Sequence, residues 1–358
     1  MSQPSTIESQ IEDLKQAGFP VKTGVRAFRS ETEGADVKAI DGWLHRWARH
    51  AAQNYAVVSK SKGVRFLSGS CAGMPAVVIG IGPSLDLHHK TLRAFKQRAV
   101  IIATDAAYRP LCANDIIPDI VMSFDCKREQ GTLWEGVPGQ DVPMLFDSCA
   151  HPDAIKSWRG PVMFYNHWHM KDEFSEKLLP HIYPHLGEIP STGTVGNMAI
   201  QLANILGCKN IATVGMDLCY AKEGDGWRYR CQDYRWEDGM PRPISDGILY
   251  NNSDRVARSF LKPHGTVEDP DAKTPADSEI LSYRTDPELA VYAKSFLEIA
   301  SNLKLEIAHC SPWNIFGDAV KTMKLSEFAD RYCKTIYAEG KTTVWNLNRI
   351  LTRDAEPA

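Results

Sequence analysis

Glycine, hydroxyl and carboxylate residues recur in this chain where apolar runs end, and that placement suits chemistry on a negatively charged ligand. The first cluster is Gly80-Ile81-Gly82-Pro83-Ser84, directly after Ala76-Val77-Val78-Ile79. Glycine allows a sharp turn and a close backbone approach to a ligand. A helix opening after the turn aims free N–H groups at an anion. Gly80, Gly82, Pro83 and Ser84 are therefore candidate phosphate-turn residues, with Ser84 either capping the helix or contacting phosphate. The cluster lacks the third glycine of the dinucleotide fingerprint and the Lys-Ser/Thr of a P-loop, so it names no ligand by itself. An ordinary strand-to-helix turn has the same composition.

The second cluster is Ser191-Thr192-Gly193-Thr194, leading into the best helical pattern of the chain. It is a second anion-ready helix start, or simply a well-capped helix. A third set, Asp105, Asp125, Asp147 and Asp217, closes apolar runs. One such Asp is usually a cap or loop hydrogen-bonder. Several at one sheet edge suit ribose, a base, or Mg²⁺ beside phosphates.

The histidines are less directive. His88-His89 follows the glycine turn, and His167 and His169 would share one side of a continuing strand. The latter pair has no evident third ligand for zinc, so an exposed or hydrogen-bonded surface role is expected and no metal site is assigned. His264 is a candidate general base if the stretch that carries it closes over a substrate. The same stretch holds Trp227, Arg228, Tyr229, Arg230, Tyr234, Arg235 and Trp236, which suit stacking and phosphate contact or, equally, packing of a folded-over loop.

The elements that must position these groups are legible as apolar runs near residues 76–80, 99–103, 120–124, 143–146, 161–165 and 210–214. The runs do not alternate, as expected of strands buried on both faces of a parallel sheet. Helical segments are expected at 85–97, 106–114 and 193–206, then from Pro287 through Leu303 and over 318–352. A last strand is expected at Leu305–His309. Alternating strand and helix predicts an α/β fold with a doubly wound, mostly parallel, Rossmann-like sheet. Residues 1–72 form an N-terminal helical segment: an arm, an oligomer contact or a cap. Residues 73–220 form the core, 221–280 a lid or insertion, and 281–358 a C-terminal extension of helix, strand and helix.

Bulk properties exclude some classes. The 358 residues carry a formal net charge of -3, with a pI near 6.4. That gives no general drive toward nucleic acid or an anionic membrane, and neither is expected as a partner. The nine cysteines show no CxxC spacing, which fits a reducing compartment rather than a disulfide framework. The polar start MSQPSTIESQIEDLKQ has no signal pattern, and no uninterrupted apolar stretch is long enough to span a bilayer. A cytoplasmic location is expected.

Taken together, the motifs bear a resemblance. Gly73-Met74-Pro75-Ala76-Val77-Val78-Ile79-Gly80-Ile81-Gly82-Pro83-Ser84-Leu85-Asp86 resembles the entry motif of the MptE-like and motility accessory factor (Maf) family. Ser191-Thr192-Gly193-Thr194-Val195-Gly196-Asn197-Met198-Ala199, continuing through Gly207–Ile211 to Val214-Gly215-Met216-Asp217-Leu218, is similar to its second motif. Pro118-Asp119-Ile120-Val121 followed by Asp125 fits between them, so the resemblance covers about 65 to 220. Maf proteins look like bacterial sialyltransferases, which use a CMP-activated nonulosonic acid without a catalytic metal. Archaeal relatives look like 6-hydroxymethyl-7,8-dihydropterin pyrophosphokinases, which use ATP and Mg²⁺.

The resemblance implies a nucleotide-dependent transferase, foremost a glycosyltransferase with a CMP-type sugar donor and no required cofactor. It implies Asp105 and Asp125 on ribose or base, Ser191, Thr192 and Gly193 on donor phosphate or carboxylate, and Asp217 orienting the ligand. Where the sialyltransferases carry a base histidine, this chain reads Ser282-Tyr283-Arg284-Thr285-Asp286, which leaves that role to His264 or another base. The second expectation is a Mg²⁺-dependent pyrophosphokinase using ATP. The third is a catalytically silent nucleotide-binding protein, since fold does not fix function. No residue indicates the acceptor.

Overall fold

The computed structural model describes residues 33–137, 141–169, 172–223, 226–231, 260–264, 281–285, 287–313, 315–316 and 319–337. Its centre is a nine-stranded parallel sheet. The strands are β1 (Ala76–Ile79), β2 (Val100–Thr104), β3 (Ile120–Ser123), β4 (Met144–Asp147), β5 (Val162–Trp168), β6 (Glu188–Pro190) and β7 (Asn210–Val214). A small sheet supplies β8 (Tyr220–Glu223), β9 (Gly226–Arg228), β10 (Phe260–His264) and β11 (Leu281–Thr285) before β12 (Glu306–His309) and β13 (Lys321–Thr322) rejoin the main one. The main order is β13-β12-β7-β1-β2-β3-β4-β5-β6. From β1 the chain first winds outward through β6, then returns to the other side of β1 as β7. The order therefore reverses between β1 and β7.

Five helices of eight residues or more flank the sheet among the described residues. They are α1 (Glu33–Val58), α2 (Asp105–Ala113), α3 (Val195–Ile205), α4 (Pro287–Leu303) and α5 (Leu325–Tyr332). Successive strand residues point to opposite faces, and the core divides accordingly. Val78, Val100, Ile102, Met122 and Tyr165 pack with Met198, Leu202, Ala293 and Phe296 of α3 and α4. Val77, Ile79, Ile101, Val121 and Phe146 pack with Trp47, Ala107, Leu111 and Phe328 of α1, α2 and α5. Burial on both faces is why β1 to β4 carry no polar alternation.

Several expectations are corrected. No continuous helix spans 85–97; a 3₁₀ turn (Pro83–Leu87) and a short α-turn (His89–Arg93) stand there instead. Leu305–His309 is not the last strand, because β13 follows it. Of 318–352, the described part is β13, then α5 ending at Tyr332, with no helix at 333–337. The aperiodic stretch 221–280 contributes to an antiparallel sheet ordered β10-β11-β8-β9. Three- to five-residue strands are too short to show periodicity.

Candidate functional site at the strand-order reversal

In open α/β sheets a ligand crevice forms beyond the strand carboxyl ends where the order reverses. Here a cavity of 160 Å³ opens between β1 and β7. Its wall is Gly80, Ile81 and Gly82 after β1, and Thr104, Asp105 and Ala106 at the β2–α2 junction. Thr194, Val195 and Gly196 open α3, Gly215, Met216 and Leu218 follow β7, and Tyr229 closes the set. The two glycine-bearing junctions, more than a hundred residues apart in the chain, thus face one space.

The first junction is fastened to the protein itself. The Gly80 N–H donates to Val214 O at 2.8 Å and the Gly82 N–H to Gly215 O at 2.7 Å. The Ser84 N–H donates to Asp217 Oδ2 at 2.8 Å, and Leu85 N–H to Gly82 O at 3.1 Å. Ser84 Oγ in turn accepts from Gly215 N–H at 2.9 Å. Ser84 and Asp217 are fully buried. The expected cradle of free amides is therefore largely occupied, and the Ser84 hydroxyl faces Gly215. The glycines answer to neighbouring backbone. A Cβ on Gly80 would lie 2.4 Å from Gly215 O, and one on Gly82 would lie 2.3 Å from Asp217 Oδ2. Pro83 is buried at the start of the 3₁₀ turn.

The second junction keeps its donors. Thr194 is the N-cap of α3, its Oγ1 accepting from Asn197 N–H at 3.1 Å. The first amides of a helix have no intrahelical partner, so Val195 and Gly196 present theirs at the cavity wall. Ser191 and Thr192 are buried behind it; Thr192 Oγ1 accepts from Gln201 Nε2 at 3.3 Å. Gly193 takes φ +84, which turns the chain into the helix. None of these three lines the cavity.

The β2–α2 junction adds polar groups. Thr104 Oγ1 is buried and has no partner. Asp105 is buried at the first position of α2, where burial pushes its carboxyl up to about 6 against the downward pull of Ser123, the Ala106 N–H and Gln130. Gln130 Nε2 donates to Asp105 Oδ2. Asp125 is not part of the wall: it is about a third exposed, accepts from Lys127 N–H at 3.1 Å, and pairs with Lys127 Nζ at 3.6 Å. Asp217 stays beneath the glycine turn, with Oδ1 buried and unpartnered. His264 ends β10 opposite Leu281; its side chain lies outside the described residues, as do Tyr234, Arg235 and Trp236.

Sequence reasoning missed Met216. A Cβ on Gly196 would fall 2.1 Å from Met216 Sδ, and one on Gly80 would fall 3.0 Å from it. The thioether is the spacer between the two junctions. The part of the expected lid nearest the cavity docks on the first junction, with Cys231 N–H donating to Ile81 O at 2.9 Å and Arg228 ion-paired with Asp86.

The surface role expected for the pair is overturned for His167, while His169 is half-buried. His167 is fully buried, and its N–H and Nδ1–H both donate to Asp147 Oδ2, at 3.0 and 2.9 Å. Asp147 Oδ1 accepts from Cys149 N–H at 2.7 Å. Asp147 pairs with Tyr165 in the β4–β5 register, which puts His167 one same-face step further along. Trp47 of α1 covers both rings, at 4.6 Å from His167 and 5.8 Å from His169. Burial and the neighbouring His167 hold His169 down at about 3. The sequence signal was an Asp and a His ending adjacent strands, readable only once the strand pairing was known.

Among the described residues the one group of three side chains close enough to share a metal is Asp147, Cys149 and His167. That O, S and N set suits a softer ion than Mg²⁺, which takes oxygen ligands. Asp125 and Asp147 are turned to Lys127 and His167, so the strand-end carboxylates do not assemble an oxygen cage for Mg²⁺. Among the described residues, no helix is long and apolar enough to cross a membrane.

A doubly wound parallel sheet with a cavity at its order reversal defines a Rossmann-like α/β protein. Residues 49–223 match the family described as 6-hydroxymethylpterin diphosphokinase MptE-like. The fold is similar to that of a Maf glycosyltransferase from Magnetospirillum magneticum AMB-1, with a TM-score of 0.54 and 14% identity over 98% of this chain and 50% of that one. A protein of Treponema pallidum (strain Nichols), itself uncharacterised, is 25% identical over 205 residues, covering 53% of this chain and 35% of the relative. The chain thus spans half or less of the length of these relatives.

Proposed function

We propose that this protein is a nucleotide-dependent transferase that binds its donor at the β1–β7 cavity, foremost a glycosyltransferase using a CMP-activated, nonulosonic-acid-type sugar. One observation carries the reading: the α3 helix start at Val195 and Gly196, with its first amides, and Thr104 and Asp105 at the β2–α2 junction line a single cavity. Helix-start amides suit phosphate or carboxylate. A hydroxyl and a carboxyl at the adjacent strand end suit ribose hydroxyls. The cavity is smaller than the usual ligand pocket of roughly 300–1,000 Å³, so it takes the phosphate–ribose part and leaves the rest of the donor to extend outward. Segment 226–231, docked on the glycine turn, is placed to shield that donor from water. His264 remains the proposed proton acceptor, and the acceptor substrate is unassigned. Cytoplasmic action on soluble donors is part of the same proposal.

The family description favours a second reading, an ATP- and Mg²⁺-dependent diphosphotransferase on a pterin-like alcohol. Here Mg²⁺ would arrive with the phosphates, since the chain assembles no oxygen cage of its own among the described residues. A thermal-shift panel of CMP, CDP, CTP, ATP, GTP and UDP, each with Mg²⁺ and with chelator, separates the readings. Ligand binding raises the transition in proportion to the logarithm of concentration over Kd. Stabilisation by cytidine nucleotides regardless of chelator supports the sugar-transferase reading. Stabilisation by ATP only with Mg²⁺ supports the alternative. No shift with any nucleotide sinks both.

A further inference from the structure

We propose that the cavity between α1 and the turn Pro152–Ser157 is a second ligand site, built for a small hydroxylated anion: a polyol carrying a carboxylate or a phosphate. The cavity measures 590 Å³ and is lined by Arg49, His50, Asn54, His151, Asp153 and Lys156 among others. It sits past the carboxyl end of β4, several strands from the β1–β7 cavity, and shares no lining residue with it.

Two independent features define what it takes. The first is charge. Asp153 is engaged by Arg128 at 3.0 Å. Arg49 and Lys156 are exposed and form no ion pair among the described residues, so two cations face the space uncompensated. The second is a buried acceptor. His50 is only 1% exposed. Its Nδ1 lies 3.2 Å from Cys149 O, and a carbonyl only accepts, so Nδ1 carries the proton. Nε2 is buried with no partner. Nε2 therefore offers a lone pair, and a buried acceptor is destabilising until a donor reaches it. A hydroxyl on the ligand supplies that donor. The Asn54 amide fixes the floor rather than reading the ligand: its Nδ2 donates to Ser148 O at 3.1 Å and to Ala150 O at 2.9 Å. Simple anions satisfy the first feature and neutral sugars the second; a hydroxylated anion satisfies both.

The test is isothermal titration of the full chain with gluconate, glucose 6-phosphate, inorganic phosphate and glucitol. Saturable binding of gluconate or glucose 6-phosphate is expected, and which of the two binds tells carboxylate from phosphate. Inorganic phosphate and glucitol are expected to bind at least tenfold more weakly. Arg49→Ala and Lys156→Ala, both at exposed positions, should each weaken the preferred anion about tenfold. Failure of both anionic polyols to bind overturns the site. Equal binding of glucitol overturns the charge argument, equal binding of inorganic phosphate overturns the His50 argument, and unchanged affinity in both variants overturns the location. None of these outcomes depends on nucleotide binding at the β1–β7 cavity.

Discussion

Ser84 and Asp217, separated by 133 positions, hold the two loops of the order-reversal crevice together: the Ser84 N–H donates to Asp217 Oδ2 at 2.8 Å, while Ser84 Oγ accepts from the Gly215 N–H at 2.9 Å. Both side chains are fully buried. Ser84→Ala leaves the Gly215 N–H without its acceptor, and an unmet buried donor costs about 1–3 kcal/mol. Denaturant melts should show a loss of that size. A change under 0.5 kcal/mol, about what a surface substitution produces, would show that the contact holds nothing.

The glycines of the two junctions should fail for different reasons. A Cβ on Gly82 meets Asp217 Oδ2 and Gly215 O, which belong to a fastened loop. A Cβ on Gly196 meets the Met216 thioether, the end of a flexible side chain. Gly82→Ala is expected to lower stability by about 2–3 kcal/mol, within the range for overpacking, and no single neighbouring truncation should restore it. Gly196→Ala is expected to cost less and to recover when Met216→Ala is added. Thermal melts of these three variants decide it; absence of recovery in the double variant removes Met216 as the spacer.

Asp105 should leave a pH signature. Its folded carboxyl titrates near 6 because burial penalises the charge, against 3.8 as the ordinary value. A raised folded value means the folded state holds the proton longer. Stability from this group is full below about pH 4, falls as pH rises through 6, and is flat above. Relative to wild type, Asp105→Asn should gain stability across that window, by up to about 3 kcal/mol at pH 7. A difference that stays constant from pH 4 to 8 contradicts the buried, proton-holding carboxyl.

His169 should act in the opposite sense. Its folded value near 3 lies below the ordinary 6.5, so the unfolded chain takes the proton first. The contribution is present above pH 6.5 and is lost as pH falls toward 3. His169→Phe should flatten the acid limb of the stability profile, and an unchanged acid limb would place the ring in water.

Asp147 accepts three N–H donors, two of them from His167, in a fully buried setting. Asp147→Ala strands all three and should cost at least 3 kcal/mol. Asp147→Asn keeps an acceptor oxygen and should cost less. If the two variants melt together, the pair does not anchor β4 to β5.

Much of the fold is written in local pattern. The runs at 76–79, 100–104, 120–123, 144–147 and 210–214 announce doubly buried strands because parallel strands must be apolar on both faces. Thr194 and the apolar face behind it announce α3. The two glycine clusters were visible as junctions for the same reason: turns and caps are short-range chemistry. What local pattern cannot carry is which strand lies beside which. Only the pairing of β1 with β7 brings Gly80 against Gly215 and Met216, occupying the amides after Ile79 and leaving those of Val195 and Gly196 to the cavity. Only the β4–β5 register turns His167 inward onto Asp147, and only the packing of α1 buries His50 and Trp47 against them. Hydrogen bonds between residues a hundred positions apart depend on angstrom-scale tertiary geometry, and residue order alone does not contain it.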